Sequence, residues 1–316
     1  MKVSVLVPVY GVEAFIERCA TSLMEQTHED VEYIFVDDAT PDASMRVLER
    51  VLAQYPHRRA QVRMLTHEQN GGLAQARITA LHAATGEAVM VVDSDDSLPR
   101  EAIATLCATM ERSGCDIVDG AYEMERDGTT IAVKQPFAGN LRRYLRTMLC
   151  HDLVDNNVWG RLIKKDLFDR HHIMWTPGVN NGEDYSVVPR LLDCASGRAT
   201  TSQVVYRYRT DNTSSISNSM TQSHFESWLR ACAIVRDHFA GKADYATALR
   251  LGIIGEMRRA RRYGYPVALV DELCAVEVNG AVLRALKCCV RSRRVPFWLA
   301  NALYKAVRRI YCSLLA

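Results

Sequence analysis

Residues 88–96 read AVMVVDSDD and residues 3–10 read VSVLVPVY. Each stretch opens with a run of apolar, largely β-branched residues that has the length of a buried strand. The first passes directly into aspartates, and the second ends before Gly11. Two similar runs lie between them, at 31–36 and 62–65. Candidate strands therefore recur about every 30 residues, the length of a strand–helix–strand unit.

Helical patterns fill the intervals between these strands. Apolar residues within 15–23 recur at helical spacing. Residues 42–55 and 72–86 carry helix start and stop signals, and Pro99 opens a further helix. This alternation predicts an α/β protein with a doubly wound, mostly parallel sheet.

The pattern changes after about residue 115. Residues 121–134 predict a hairpin, 183–192 a helix and 202–209 a strand, and helix dominates from about residue 220. We therefore expect an α/β domain over 1–217 and a helical C-terminal region over 218–316.

The composition excludes several protein classes. The 316 residues are 48% hydrophobic and 24% charged, which is typical of a globular chain and not of a disordered, collagen-like or small disulfide-bonded one. No uninterrupted apolar run reaches membrane-spanning length, and the N-terminus leads straight into a strand, so neither a spanning helix nor a signal peptide is expected. The ten cysteines contain no C-x-x-C pair, which indicates reduced thiols and a cytoplasmic protein.

Charge is divided unevenly along the chain. Residues 1–130 hold 22 acidic and 11 basic side chains, whereas the remainder holds 15 acidic and 28 basic ones. After Glu277 there are eight basic residues and no acidic one: Arg284, Lys287, Arg291, Arg293, Arg294, Lys305, Arg308 and Arg309. A second basic cluster comprises Arg258, Arg259, Arg261 and Arg262. Such a region favours a polyanionic partner, unless it is a solvated face balanced by the acidic half.

Aspartates follow the predicted strands. Asp37 and Asp38 end the second strand, and Asp93 and Asp95 follow the fourth. Ligands of such sheets bind beyond the carboxyl ends of the strands, where closely spaced carboxylates repel one another without a counter-charge. Carboxylate oxygens suit Mg²⁺ or Mn²⁺ together with substrate phosphates. The alternative is a capping or turn role for these aspartates.

Three other phosphate or acyl-transfer signatures are missing. The chain has no G-x-G-x-x-G after the first strand, no G-x-x-x-x-G-K-[ST] and no G-x-S-x-G. Phosphate chemistry at this sheet would therefore need another layout.

Seven stretches in order, from about residue 3 to 217, resemble the family 2 glycosyltransferases of the GT-A fold. They are VSVLVPVYGVEAFIERCATSLMEQT, YIFVDDATPDAS, NGGLAQAR, TGEAVMVVDSDDSLP, VWGRLIKKDLF, NGEDYSVVPRLL and YRYRTDNTSSIS. The resemblance implies a nucleotide-sugar-binding part over 1–98 and an acceptor-binding part over 99–217. It further implies an inverting, bacterial surface-polysaccharide type of enzyme. Such an enzyme moves a sugar from a nucleoside diphosphate sugar, most often a UDP-sugar, to a hydroxyl of a glycan or lipid-linked acceptor, with Mn²⁺ or Mg²⁺ as the cofactor.

The resemblance also implies roles for individual residues. Asp184 resembles the general base, and Asp95, with Asp93, resembles the metal ligand. The acceptor-binding positions are Glu183, Trp159 and Arg161. The donor-binding positions are Pro8, Tyr10, Glu13, Asp38, Arg77, Asp93, Ser94, Asp96, Arg207 and Arg209. Within the donor set, Asp38 matches a position that accepts from the base, and Arg207 and Arg209 match positions that clamp the diphosphate.

Each of these positions has a structural alternative. Glu183 and Asp184 could be acids favoured in the first turn of a helix. Arg207 and Arg209 could be outward strand residues paired with acids, and Trp159 could belong to the core.

The last segment predicts an amphipathic helix. Leu299, Leu303, Val307, Ile310 and Leu314 share one face, Asn301, Lys305, Arg308 and Arg309 share another, and Pro296 precedes the helix. A basic amphipathic helix of this kind is typical of a membrane-surface anchor, which would place residues 292–316 at the inner face of the cell membrane. The alternative is a helix that packs on the catalytic domain or on a partner subunit of a homo-oligomer.

Other functions remain as alternatives. A sugar nucleotidyltransferase also places carboxylates at such a rim, but it would usually need a glycine-rich loop where this chain has VPVYGVEAF. A catalytically inactive carbohydrate-binding scaffold would be expected to have lost its catalytic and metal-binding acids, yet this chain keeps Asp93, Asp95, Glu183 and Asp184. Nucleic acid is not an expected partner, because the basic segment lacks aromatic residues arranged as stacking platforms.

Overall fold

Eight strands form one mixed sheet in the computed structural model, which describes residues 1–151, 155–212 and 221–314. The strands are β1 (Val3–Val9), β2 (Val31–Asp37), β3 (Val62–Thr66), β4 (Ala88–Val91), β5 (Ile117–Arg126), β6 (Thr129–Lys134), β7 (Arg161–Lys164) and β8 (Arg198–Arg209). Their order is β3-β2-β1-β4-β7-β5-β6. The start of β5 pairs with β7 and its end pairs with β6, and β8 pairs with β5 along the opposite edge.

The first half of the sheet is parallel. β3, β2, β1 and β4 run in one direction, so their carboxyl ends share one edge. β7 pairs antiparallel with both β4 and β5, whereas β8 is parallel to β5. All seven residues of β1 are buried, which explains its uninterrupted apolar sequence. The predicted α/β fold with a mostly parallel sheet is confirmed, as is the hairpin β5–β6.

Helices cover both faces of the parallel half. On one face, alternate residues of β1 pack with α1, α2 and α4 in a single apolar cluster. On the other face, α3 contacts β1 and β2. The twelve helices among the described residues are α1 (Ile16–Met24), α2 (Ser44–Leu52), α3 (Leu73–Ala83), α4 (Ala102–Ser113), α5 (Leu141–Leu149), α6 (Lys165–Arg170), α7 (Glu183–Cys194), α8 (Gln222–His238), α9 (Ala243–Tyr263), α10 (Ala268–Cys274), α11 (Ala281–Arg291) and α12 (Phe297–Ser313).

The helix predicted over 42–55 is shorter than expected. α2 begins at Ser44, because the side chain of Asp42 accepts hydrogen bonds from the backbone N–H and the hydroxyl of that serine. It ends at Leu52, and a 3₁₀ turn over Pro56–Gln61 follows. Proline disfavours helical geometry in the residue before it, which accounts for this break.

The chain forms two compact units. One comprises Met1–Ala138, Asn157–Asn180 and Cys194–Asn218, and it contains the sheet. The other comprises Gly139–Asn156, Asn181–Asp193 and Ser219–Ala316, and it is helical. The domain boundary expected at 217/218 falls within 213–220, outside the described residues.

Candidate functional site

The loop after β4 is held by β8 through the side chain of Asp96. This carboxylate is buried, and it accepts hydrogen bonds from the hydroxyl of Tyr206 (2.8 Å) and the backbone N–H of Arg209 (2.7 Å). The Tyr206 hydroxyl in turn accepts from the backbone N–H of Asp93 (3.1 Å). Three hydrogen bonds therefore fix the loop to a strand more than 100 residues away along the chain.

Asp93 and Asp95 share this loop and are each bound by one partner side chain. Oδ1 of Asp93 lies 2.8 Å from Nη2 of the buried Arg77, and Oδ2 of Asp95 accepts from Nδ2 of Asn212 at 2.7 Å. Burial and the nearby Asp93 raise the pKa of Asp95. Burial, Asp95 and Asp93 also raise the pKa of Asp96 well above its ordinary value. The loop thus concentrates negative charge, and its oxygen donors fit a hard divalent cation.

Asp38 shapes the loop that leads into α3. Its two carboxylate oxygens accept from the backbone N–H groups of Gly71 and Gly72, both at 2.8 Å, and Nδ1 of His67 lies 2.7 Å from Oδ1. Gly72 has φ +83°, and a Cβ there would lie 2.5 Å from the amide of Asn180. Only glycine fits this position without displacement. Asp38 therefore fixes the backbone that positions α3, which carries Arg77.

The loops after β1 and β2 are joined by reciprocal hydrogen bonds. Pro8 is buried in β1, and Tyr10 is half exposed just beyond it. The backbone N–H of Glu13 donates to Asp42 (3.0 Å), while the Glu13 carboxylate accepts from the backbone N–H of Ala43 (3.0 Å). Burial would raise the pKa of Asp42, but the hydrogen bonds to its carboxylate outweigh burial and lower it to about 2.

The two β8 arginines lie beside the aspartate loop. Arg207 exchanges backbone hydrogen bonds with Ser97 at 2.8 and 3.2 Å, so the end of β8 runs alongside the loop. Nε of Arg207 donates to Glu123 (3.2 Å), and Nη1 of Arg209 lies 3.4 Å from Asp211. Both guanidinium groups therefore have acidic partners, as the structural alternative for strand arginines predicts.

Trp159 and Arg161 are both buried in the sheet unit. The Trp159 ring stacks on Tyr206 and Tyr208, with ring centroids 4.5 and 5.2 Å away. Arg161 is buried, and its Nη1 donates to Asp119 at 2.7 Å. Trp159 thus packs against the tyrosine that holds the aspartate loop.

Sequence reasoning missed three contributors to this site: His67, Tyr206 and Asn212. The last two lie in the stretch YRYRTDN, which was assigned to the site for its arginines. The tyrosine and the asparagine in that stretch could have been predicted to contact the site, because buried polar groups need hydrogen-bond partners. No sequence pattern around His67 predicts its contact with Asp38.

Glu183 and Asp184 begin α7, in the helical unit. Both side chains are half-buried. The helix start is preceded by Gly182, whose φ is +85° and where a Cβ would lie 2.7 Å from the Trp228 ring. The acidic pair therefore stands at a tightly packed turn that glycine permits.

A buried polar cluster lies behind Asp184. The next residue, Tyr185, stacks on Trp228 (5.1 Å), and its hydroxyl lies 2.9 Å from Nε2 of His151. Nδ1 of His151 lies 2.7 Å from the carboxylate of Glu256. Burial would raise the pKa of Glu256, but Arg259 and His151 outweigh it and hold this pKa below its ordinary value. The cluster anchors the first turn of α7.

The sequence matches the model of a known protein family. The model described as Glycosyl transferase family 2 matches residues 4–171. The chain belongs to this family. Its match includes every first-unit residue discussed above up to Arg161, and the two β8 arginines lie beyond it.

One curated relative matches the chain in sequence, and two solved structures share its fold. The uncharacterized glycosyltransferase EpsJ of Bacillus subtilis (strain 168) is 35% identical over 188 residues, or 58% of this chain, and the match spans 53% of that protein, about half its length. Residues 1–349 of S. aureus TarS, in complex with UDP-GlcNAc, superpose with a TM-score of 0.66 at 18% identity, covering 98% of this chain and 91% of that one. The mannosyltransferase PcManGT from Pyrobaculum calidifontis, in complex with GDP-Man and Mn²⁺, gives a TM-score of 0.50 at 18% identity, covering 98% and 86%. The shared fold is that of glycosyltransferases.

Proposed function

We propose that this protein transfers a sugar from a nucleoside diphosphate sugar, a UDP-sugar being the first choice, to a hydroxyl of a glycan or lipid-linked acceptor, with inversion. The observation that carries the proposal is the aspartate loop after β4, where three mutually repelling carboxylates, that of Asp96 buried and those of Asp93 and Asp95 half-buried, lie at the carboxyl edge of the parallel strands and Arg77 binds Asp93. Family membership supports it, as do the UDP-GlcNAc bound by TarS and the GDP-Man bound by PcManGT.

The metal in this proposal is Mn²⁺ or Mg²⁺, held by Asp95 with Asp93. The carboxylate oxygens are the donors such cations prefer, and the pKa of Asp95 is raised by burial and by the nearby Asp93, both of which a bound cation would offset. The Mn²⁺ bound by PcManGT supports the choice. When bound, the cation neutralises negative charge on the diphosphate leaving group.

The donor-binding role falls to the loops at this edge. Pro8, Tyr10 and Glu13 belong to the β1–α1 segment against which the nucleotide would lie, and Asp38 fixes the adjoining turn at Gly71–Gly72. The remaining donor-side residues are Arg77, Ser94, Asp96, Arg207 and Arg209. Asp96 acts by holding the loop, and the arginines supply charge-assisted hydrogen bonds to the diphosphate.

Asp184 is the proposed general base. A sugar hydroxyl is a poor nucleophile, so a positioned carboxylate must accept its proton as the new bond forms. Attack on the face opposite the diphosphate inverts the anomeric carbon. Glu183, Trp159 and Arg161 are the proposed acceptor-side residues, and Trp159 would act through its stacking on Tyr206. We place the reaction in the cytoplasm, at the inner face of the cell membrane.

A donor screen tests this function. The full chain is incubated with UDP-, GDP- and dTDP-sugars, with and without Mn²⁺, and released nucleoside diphosphate is measured. We expect one donor class to be turned over, EDTA to abolish release and Mn²⁺ or Mg²⁺ to restore it. Full activity in exhaustively chelated buffer would contradict the metal assignment. Pyrophosphate release instead of nucleoside diphosphate release would indicate a nucleotidyltransferase, and binding without turnover a scaffold.

A further inference from the structure

The outer face of α12 is apolar and exposed. Trp298 is 70% exposed and Ile310 is 61% exposed, and Leu299, Leu303 and Leu314 are also open to solvent. At 3.6 residues per turn, Ile310 and these three leucines fall within about 60° of one another around the helix. The predicted apolar stripe is therefore left uncovered by the described part of the chain, apart from the partly covered Val307.

The inner face of α12 is already occupied by α9. Ala300 and Tyr304 are buried, and the Tyr304 hydroxyl donates to the backbone carbonyl of Leu251 at 3.2 Å. Nη1 of Arg258 donates to the side chain of Asn301 at 2.9 Å. Because these contacts fix the rotation of the helix, packing within the helical unit does not account for the leucine stripe.

A basic border runs beside this apolar face. Lys305 and Arg309 are exposed one turn apart, next to Trp298 around the helix. Neither has an acidic partner within ion-pair distance among the described residues. The exposed arginines nearby in sequence are Arg284, Arg291, Arg293 and Arg294. Arg291 is paired with Asp271 of α10, whereas the border formed by Lys305 and Arg309 carries positive charge alone.

We infer that the face formed by Trp298, Leu299, Leu303, Ile310 and Leu314, with its border of Lys305 and Arg309, docks on a bilayer surface rich in anionic phospholipid. Charge complementarity selects this occupant, since two copies of this face packed against each other would oppose one basic border with another. No helix in the described ranges is both long and apolar enough to cross a bilayer. The docking surface deepens the proposed function by selecting a lipid-linked acceptor, and only that last step rests on the proposed function.

Vesicle co-sedimentation with the full chain tests the docking surface. Phosphatidylcholine vesicles are compared with vesicles that also contain phosphatidylglycerol, at low and high salt. We expect binding to the anionic vesicles that weakens as salt screens the charges. Lys305→Gln with Arg309→Gln should reduce partitioning about 30-fold, from about 1 kcal/mol for each charge. Trp298→Ser with Ile310→Ser should reduce it at least about tenfold by removing apolar contact.

Matched controls exist elsewhere on the surface. Arg46→Gln with Arg50→Gln removes two exposed charges one turn apart on α2, and Ile131→Ser with Val133→Ser removes two half-exposed apolar side chains on β6. Both double variants should bind vesicles within about twofold of the unsubstituted chain, since neither alters α12. A loss as large in the controls as in the α12 variants would overturn the assignment of the surface.

Two further measurements separate the outcomes. If the unsubstituted chain stays in the supernatant with anionic vesicles at low salt, the docking inference is wrong. If sedimentation velocity shows an oligomer that Trp298→Ser with Ile310→Ser dissociates, and no vesicle binding occurs, the occupant is a second copy. Nucleoside diphosphate release without vesicles is measured on every variant and should be unchanged. A chain that binds vesicles yet turns over no donor would keep the docking surface and overturn the proposed function.

Discussion

The three carboxylates of the loop after β4 differ in what they contact. Asp96 is buried, and both of its carboxylate oxygens accept hydrogen bonds from β8. Asp93 and Asp95 each accept a hydrogen bond from a partner side chain through one oxygen. The same residue type therefore serves two purposes within four positions. Asp96 holds the loop in place, and Asp93 and Asp95 are suited to bind a cation.

Asp184→Asn should leave the fold and donor binding intact and remove most turnover. The amide keeps the size of the side chain but cannot accept the acceptor's proton, so kcat should fall about 10²- to 10⁴-fold. Steady-state kinetics with the donor identified by the screen measures this, with the donor KM expected to stay within about threefold. The exposed Asp169→Asn serves as a control. Near-normal kcat in Asp184→Asn would remove this residue from the base role.

The carboxylate of Asp116 should make the free energy of unfolding depend on pH in the acid range. Burial would raise its pKa, but hydrogen bonds from Lys164 and Ser196 outweigh burial and lower it from 3.8 to about 2. A lowered folded-state pKa contributes stability above pH 4 that is lost as the pH falls towards 2. Asp116→Asn should therefore cost about 2 kcal/mol at neutral pH and flatten that acid limb. Urea unfolding across this pH range measures it, and a variant with an unchanged acid limb would contradict the assignment.

At the scale of elements, the loop after β4 is held by β8 and by α3. β8 contributes Tyr206 and the backbone N–H of Arg209, while Trp159, just before β7, stacks on Tyr206. α3 contributes Arg77 from the other side. The loop geometry is thus set by elements that are distant in sequence, so a change in β8 should act on the loop.

Tyr206→Phe tests this coupling. It keeps the ring that stacks on Trp159 and removes the hydroxyl that links Asp96 to Asp93. Losing a buried hydrogen bond to a carboxylate should cost about 2 kcal/mol, and the freed loop should raise the metal concentration needed for half-maximal turnover. Chemical unfolding and a Mn²⁺ titration measure the two effects. Tyr55→Phe, whose hydroxyl donates to exposed Glu25, should change neither, and equal behaviour of both variants would contradict the coupling.

At the scale of the whole molecule, acidic side chains predominate in the first part of the sequence and basic side chains in the last part. The acidic first part contains the proposed cation and donor site, and the basic last part carries the α12 surface. A metal–nucleotide complex should therefore stabilise the protein through the sheet unit, and anionic lipid should bind through the helical one. These two effects can be measured independently.

Donor binding should raise the thermal midpoint in a metal-dependent way. UDP with Mn²⁺ at 100 times its dissociation constant should add about 2.7 kcal/mol of stability, because it binds only the folded state. Asp95→Asn should lose the part of this gain that needs Mn²⁺, whereas Asp166→Asn, at an exposed ion pair, should retain it. Thermal unfolding with UDP alone, Mn²⁺ alone and both together distinguishes these cases. A gain that is identical without metal would contradict the proposed site.

The amino-acid sequence by itself determined the four strands of the first half, their parallel direction and the position of the aspartate loop, but it gave no signal for β7 or for the order of the strands. Buried parallel strands such as Val3–Val9 must be apolar over their whole length, and that signal is local. The stretch YRYRTDN also marked β8 as part of the site. Helix ends were less well predicted, since α2 is set by the contacts of Asp42.

Only the tertiary structure decided which partners these elements meet. Nothing local to residues 93–96 states that Tyr206 and Asn212 will contact them, and nothing in 297–313 states that Tyr304 will be buried while the leucine stripe stays exposed. Periodicity tells which side chains of a helix or strand share a face. Which face is covered depends on contacts between residues far apart in the chain, and these form only when the whole fold is assembled.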